Sequence, residues 1–261
     1  MPFTISHAVV ALPFRRTALP VAAVAVGAMA PDVVLFVPAL ASYASTHSWW
    51  GILTLDLLFA LVLLLGWWLL LRPAWSAVVP GVRDRVPSAW QERERVGVRR
   101  LPVVVLACVL GSATHVGWDA FTHPHGVAVL ALAPLRQQVL GVPVYSALQM
   151  LSSVAGLAVL CGAGLLWWRR ARPLRDSPVS VLDRAVLVLA VVAVLGGTAA
   201  VAIRAFVVSG GQVSSVVIAL AFRLPAIAVV VSVLGAVVLL IGRRRTRARG
   251  GRVGRSASRT G

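Results

Sequence analysis

Lysine is missing from this chain: all 25 of its basic residues are arginine. Acids are scarce as well, eight in 261 residues, and charged residues of both signs amount to 13%, about half the share of an ordinary soluble domain. So little charge, set against a hydrophobic content of 59%, excludes a soluble helical protein. Several helices would be apolar all round, with too little polar surface to cover them. The two cysteines, Cys108 and Cys161, belong to no C-x-x-C pattern. That excludes a disulfide framework and a thiolate zinc site, and leaves them as small apolar residues. The C-terminal RRRTRARGGRVGRSASRTG has no aromatic residue between its arginines, so it offers no base-stacking platform and no nucleic acid is expected.

What the chain has instead is apolar length. Six runs, roughly 17–40, 52–71, 101–121, 147–168, 185–203 and 224–242, are each long enough to cross about 30 Å of hydrocarbon as a helix. The first is not a cleavable signal peptide, because Pro31-Asp32 interrupts it where an unbroken apolar region would be needed. The basic connections 72–100 and 169–184 are too short to bury cores of their own. The fold class these features predict is all-α, a polytopic membrane helix bundle of about six transmembrane helices. It forms a single integral-membrane domain over 1–242, followed by a basic disordered tail over 243–261.

The arginines come in blocks: Arg15 and Arg16, seven in 72–100, five in 169–184 and eight from Arg243 to Arg259. The segments 41–51 and 122–146 together hold one, Arg136. By the positive-inside rule the blocks lie in the cytoplasm together with the N and C termini, and the sparse segments lie outside. Arg204 and Arg223 are exceptions at outer helix ends, where their heads snorkel to the interface. The expected location is the cell membrane, multi-pass. The expected partners are the lipid bilayer and, for the arginine tail, anionic lipid head groups, at about 1 kcal/mol per arginine near the surface.

Ionisable residues at membrane depth are costly and mark function. Five of the eight acids, Asp84, Glu92, Glu94, Asp176 and Asp183, fall in the basic connections, where they are solvated. The other three, Asp32, Asp56 and Asp119, fall within spans. All five histidines lie in the first half of the chain, while the last two spans are mostly Val, Ala, Leu and Gly. In GSATHVGWDAFTHPHG (111–126), His115, Asp119 and His123 stand at i, i+4 and i+8, one stripe over two helical turns. Two ligands at i and i+4 share one metal ion in the H-x-x-x-H helix of metalloproteases. A His-Asp-His set suits a divalent zinc, manganese or iron ion better than copper(I). Pro124 biases His123 out of helical geometry, so the helix is expected to end there, with His125 close by.

Two further motifs add to this set on the same outer side. STHSWWG (45–51) supplies His47, with Asp56 nine residues on, and GAMAPD (27–32) supplies Asp32. In YSALQMLSS, Tyr145, Gln149 and Ser152 follow helical spacing, either to hydrogen-bond the ligand side chains or to tie membrane helices together. His7 fits less simply. Arg15 and Arg16 place it on the cytoplasmic side, and a re-entrant helix rising eight residues from Arg15 gains about 12 Å. That reaches mid-membrane and leaves its membership of the site open.

The motifs MPFTISHAVVALP, GAMAPD, THSWWG, GSATHVGWDAFTHPHG and YSALQMLSS, in this order over residues 1–156, together resemble a bacterial integral-membrane family catalogued as domain of unknown function 4184. They are more distantly similar to membrane-bound metal-dependent hydrolases, which share an N-terminal His, a Pro-Asp pair, a Thr-His-Ser segment and a His-x-x-x-Asp helix. That resemblance implies a metal set of His7, Asp32, His47, His115 and Asp119, and draws His7 into the site against the charge argument.

The function expected from these observations is metal-dependent hydrolysis near the outer membrane face, on a lipid or lipid-linked phosphoester. Asp119 or Asp32 is the expected base and His123 or His125 the proton donor, Asp119 and His123 first, with Asp56, His125, Tyr145, Gln149 and Ser152 supporting the ligands. A metal or proton transporter is the alternative. It is disfavoured by the lack of an internal repeat and of polar residues inside the last two spans. A structural membrane protein without chemistry is the other, and it has to account for scarce polar residues gathered in four short motifs.

Overall fold

The computed structural model describes residues 4–94, 97–174 and 179–257. In chain order its main elements are a 3-10 segment Thr4–Arg16, helices α1 (Val21–Gly27), α2 (Trp49–Trp75) and α3 (Leu101–Thr122), strands β1 (Gln138–Val139) and β2 (Val142–Pro143), and helices α4 (Val144–Arg170), α5 (Val181–Val208) and α6 (Val213–Ala257). Among the described residues, five helices, α2 to α6, are long and apolar enough to cross a membrane. This is the make-up of a multi-pass membrane protein. The trace of α6 continues to Ala257, into the stretch read from sequence as a disordered tail. Asp176 and residues 258–261 lie outside the described residues.

The run expected to cross at 17–40 forms a shorter apolar stretch, Val21–Phe36, and it is broken. α1 ends at Gly27, a 3-10 turn follows at Ala30–Asp32, and a short helix completes it at Val33–Phe36. Pro31 is the physical cause, because it has no N–H to give. In an α-helix the Gly27 carbonyl would take the N–H of residue 31, and in a 3-10 turn the Ala28 carbonyl would. Pro31 thus withholds a backbone donor from one of these carbonyls in either pattern, and both accept from elsewhere.

The chain divides into two compact units, Met1–Leu65 with Arg95–Ala171, and Gly66–Glu94 with Arg172–Gly261. In the first, α1 lies against α3 with glycine at the contact on both sides. A Cβ on Gly27 would strike the Cys108 carbonyl, and one on Gly111 would strike the Val24 carbonyl and sit 2.6 Å from the Ala28 nitrogen. Small residues let membrane helices approach backbone to backbone. The two carbonyls are used at this contact: Ser112 Oγ donates to Gly27 O at 3.0 Å and His115 Nδ1 pairs with Ala28 O at 2.7 Å. The 3-10 segment packs on α4 at Gly156, where a Cβ would lie 3.0 Å from Ser6.

In the second unit, α5 and α6 are joined by a turn in which Gly210 and Gly211 both have positive φ, and they pack as a helical hairpin. Ala74, Val78, Val186, Ala236 and Leu239 form its core. The second part of α2 widens to a π turn over Trp67–Leu71, which makes room for the ring of Pro73 against the preceding turn. Two acids expected to be solvated are paired here instead. Arg72 Nη1 donates to Glu94 Oε2 at 2.6 Å, and Arg243 Nη2 donates to Asp183 Oδ1 at 3.1 Å. Buried Arg72 needs the first pairing, since a lone buried charge is costly.

Candidate metal centre

Four elements of the first unit deliver their scarce polar side chains to one place. α3 supplies His115 and Asp119 from one face. The 3-10 turn after α1 supplies Asp32, the short helix Tyr43–Thr46 ends on His47, and the N-terminal 3-10 segment supplies His7. α3 ends at Thr122 and His123 follows with extended backbone, as Pro124 dictates.

One ligand atom each from Asp32, His47, His115 and Asp119 lies within 4.8 Å of all the others. Asp119 Oδ2 is 3.3 Å from His47 Nε2 and 3.4 Å from His115 Nε2. Asp32 Oδ1 is 3.8 Å and 3.6 Å from the same two nitrogens. His7 joins at the edge, its Nε2 3.8 Å from Asp119 Oδ1 and its ring stacked on His115 with centroids 3.9 Å apart.

The ring nitrogens are already sorted into two kinds. His115 Nδ1 faces Ala28 O at 2.7 Å and His47 Nδ1 faces Tyr43 O at 3.1 Å. A carbonyl only accepts, so Nδ1 carries the proton in both rings, and in the neutral ring Nε2 is a bare lone pair. His7 Nε2, His47 Nε2, His115 Nε2 and Asp119 Oδ1 are buried and have no hydrogen-bond partner. Lone pairs of imidazole and carboxylate that face one another in a buried space are unfavourable unless a cation lies between them. Backbone carbonyls that fix the far nitrogen are also the usual partners of metal-ligating histidines. Donor atoms on a tetrahedral ion with bonds of about 2.0–2.1 Å are separated by roughly 3.3 Å, near the spacings here. The residues therefore fit a divalent ion, with His47, His115, Asp32 and Asp119 as the inner set and His7 beside it.

Other groups hold these in place. Thr4 Oγ1 donates to Asp32 Oδ2 at 2.7 Å, and Tyr43 Oη donates to Asp119 Oδ2 at 3.2 Å while its ring stacks on His47 at 3.7 Å. Burial, and next the Asp119 carboxylate, push the Tyr43 hydroxyl well above its ordinary pKa, so it stays a donor. Burial and then the His115 ring push His7 down to about 3, which keeps it neutral and able to ligate.

His123 Nδ1 is 3.3 Å from Asp119 Oδ2, and its Nε2 is 3.0 Å from Gln149 Nε2. Of the supporting residues expected from sequence, Gln149 thus reaches the cluster through His123. Ser152 is used elsewhere: its Oγ accepts from Trp118 Nε1 at 3.2 Å. Tyr145 is half-buried and makes no hydrogen bond to the cluster. His125 is exposed and stands outside it, because the chain turns away after Pro124. Asp56 is fully buried, but neither of its oxygens has a hydrogen-bond partner.

His7 belongs with the cluster despite the charge argument. Its segment is 3-10, which rises about 2.0 Å per residue against 1.5 Å in an α-helix. The same eight residues from Arg15 then rise about 16 Å, still near the middle of a hydrocarbon layer of about 30 Å, so it is the packing of the segment against α1, α3 and α4 that brings His7 to Asp119. Thr4 and Tyr43 were not anticipated, although Thr4 stands three residues before His7 and Tyr43 four before His47, the spacings at which side chains share a helical face.

Comparison with curated proteins and with solved structures gave no match. Comparison with protein families matched residues 1–241 to the family described as Domain of unknown function (DUF4184). That match takes in the whole first unit, the second as far as residue 241 and every residue of the cluster, and this chain belongs to the DUF4184 family.

Proposed function

We propose that the protein is a membrane-embedded, metal-dependent hydrolase. The observation that carries this reading is the set of buried, unpartnered donor atoms His7 Nε2, His47 Nε2, His115 Nε2 and Asp119 Oδ1, together with the closeness of Asp32, His47, His115 and Asp119, which could hold one ion. The distant likeness of the His7, Pro31-Asp32, Thr46-His47-Ser48 and His115-x-x-x-Asp119 motifs to membrane-bound metal-dependent hydrolases supports it. The ion is zinc, manganese or iron, the borderline metals this donor set favours. When bound it supplies Lewis acidity toward water and toward a phosphoryl or acyl oxygen.

The chain's own residues do the rest. Asp119 takes the proton of the attacking water, whose oxygen bonds to phosphorus or to the acyl carbon. The bond from that centre to the leaving oxygen breaks. His123, 3.3 Å from Asp119 Oδ2, returns a proton to the leaving alcohol, and Gln149 and Tyr43 orient the pair. Burial keeps bulk water out and strengthens each of these interactions. The substrate is a lipid or lipid-linked phosphoester, a reading supported by Asp119 and His123 standing at the C-terminal end of α3. The positive-inside pattern of the arginine blocks supports cytoplasmic termini and a tail that contacts anionic head groups.

The test is to purify the protein in mild detergent without chelator and measure bound metal by elemental analysis, for the wild type and for His115→Ala with Asp119→Ala. Near-stoichiometric zinc, manganese or iron that is lost in the double variant is the expected result. No metal in either, with reconstitution at micromolar metal also failing, overturns the hydrolase reading.

A further inference from the structure

Beside the cluster lies a cleft of about 430 Å³ between the 3-10 segment, α3 and α4, a volume within the range of about 300–1,000 Å³ typical of ligand sites. Its walls are mostly apolar, with Val9, Val10, Trp118, Ala155 and Val159 among them, and His7 also lines it. Trp118 and Val159 remain substantially exposed, 42% and 50%, so the cleft opens sideways from two helices long enough to cross a membrane.

The polar groups in the walls are largely satisfied within the protein. Trp118 Nε1 donates to Ser152 Oγ, Ser152 Oγ donates to Gln149 O at 3.1 Å, and Thr114 Oγ1 donates to Gly111 O at 2.7 Å. Such walls ask nothing polar of a ligand. His7 differs: it carries a buried nitrogen without a hydrogen-bond partner and belongs to the metal cluster. A ligand that matches is apolar along its length and polar at one end, and it must come from the hydrocarbon that surrounds α3 and α4.

We infer that this cleft receives one acyl chain of a membrane lipid and delivers the ester or phosphoester at its head to the His7 end of the cluster. The inference rests on the hydrolase reading for the fate of the head group, but not for the binding of the chain. Gly156 is part of the device, because its missing Cβ lets Ser6 come close and seats the 3-10 segment as the cleft's wall.

The test uses the full-length protein in nanodiscs of phosphatidylcholine and phosphatidylglycerol doped with a phospholipid carrying a diazirine in its acyl chain. Adducts are mapped by peptide mass spectrometry as the probe fraction rises. On α4, Met150, Leu151 and Val154 are exposed at 67%, 68% and 60% and serve as the annular control. Adducts on Val9, Val10 and Val159 are expected to saturate while those on the control residues rise in proportion to probe. Ala155→Trp, which fills the cleft, is expected to cut the saturable labelling at least fivefold with bound metal unchanged.

Labelling of the cleft residues that rises linearly like the control overturns the inference, as does saturable labelling that survives Ala155→Trp. Saturable labelling in a protein that holds no metal would sink the hydrolase reading and keep the cleft. Bound metal without saturable labelling would do the reverse.

Discussion

Replacing Gly111 by alanine adds one methyl group where α1 and α3 touch backbone to backbone. The new Cβ would collide with the Val24 carbonyl and lie 2.6 Å from the Ala28 nitrogen. Neither is the free end of a flexible side chain, so the helices must part by something on the order of 1 Å to restore ordinary contact near 3.5 Å. The Ala28 carbonyl moves with that backbone, and its 2.7 Å bond to His115 Nδ1 stretches to the edge of hydrogen bonding. Overpacking of this kind costs about 1–3 kcal/mol, and a buried pair left unsatisfied costs about 1–3 kcal/mol more. The better helix propensity of alanine returns at most about 1 kcal/mol. A net loss of at least about 1 kcal/mol is expected, read as a lower thermal midpoint in detergent with chelator present, so that metal loss is not the cause. Because the carbonyl also sets the His115 tautomer, affinity for zinc measured against a chromophoric chelator is expected to fall about 10–100-fold. Gly117 is the control on the same helix, since nothing lies within 4 Å of where an alanine methyl would stand, and Gly117→Ala is expected to be neutral or slightly stabilising. A Gly111→Ala protein as stable as the Gly117→Ala protein, with undiminished zinc affinity, would refute the reasoning.

Three further outcomes are expected. Thr4→Val removes the donor to Asp32 Oδ2 and lowers metal affinity about 10–100-fold in the same chelator competition; unchanged affinity would show that Thr4 does not position Asp32. His125→Ala leaves bound metal and thermal midpoint as they are, because the ring is exposed and apart from the cluster; loss of metal on elemental analysis would place it among the ligands. Asp56→Ala keeps the metal and raises the thermal midpoint or leaves it unchanged, since it deletes two buried oxygens without partners whose desolvation costs about 1–3 kcal/mol. A drop in metal content would show instead that Asp56 takes part in holding the ion.

Local patterns were the legible part of the site. The i, i+4 pairing of His115 with Asp119 and the helix end at Pro124 follow from spacing and proline chemistry, and both stand in the structure. Asp32 and His47 were legible only as rare polar residues in an apolar chain, because nothing in their local sequence says what they face. His125 and Tyr145 show the limit of that argument: proximity along the chain to His123 and Gln149 did not bring them into the cluster.

The sequence by itself determined the solvent and the inventory. Runs of apolar residues long enough to cross hydrocarbon need no partner to be recognised, since the bilayer judges each run separately. The cost of ionisable groups at that depth makes the few that remain worth counting. Tertiary structure decided which of them meet. His115 and Ala28 are 87 residues apart, and Tyr43 and Asp119 are 76. Their meeting depends on two glycines that let α1 lie against α3, and on Pro31, which withholds a backbone donor from one of the carbonyls that α3 then engages. It decided His7 as well, by packing the 3-10 segment against α1, α3 and α4 so that the ring meets the cluster. Such contacts join backbone to side chain across elements, and no periodicity within one element encodes them.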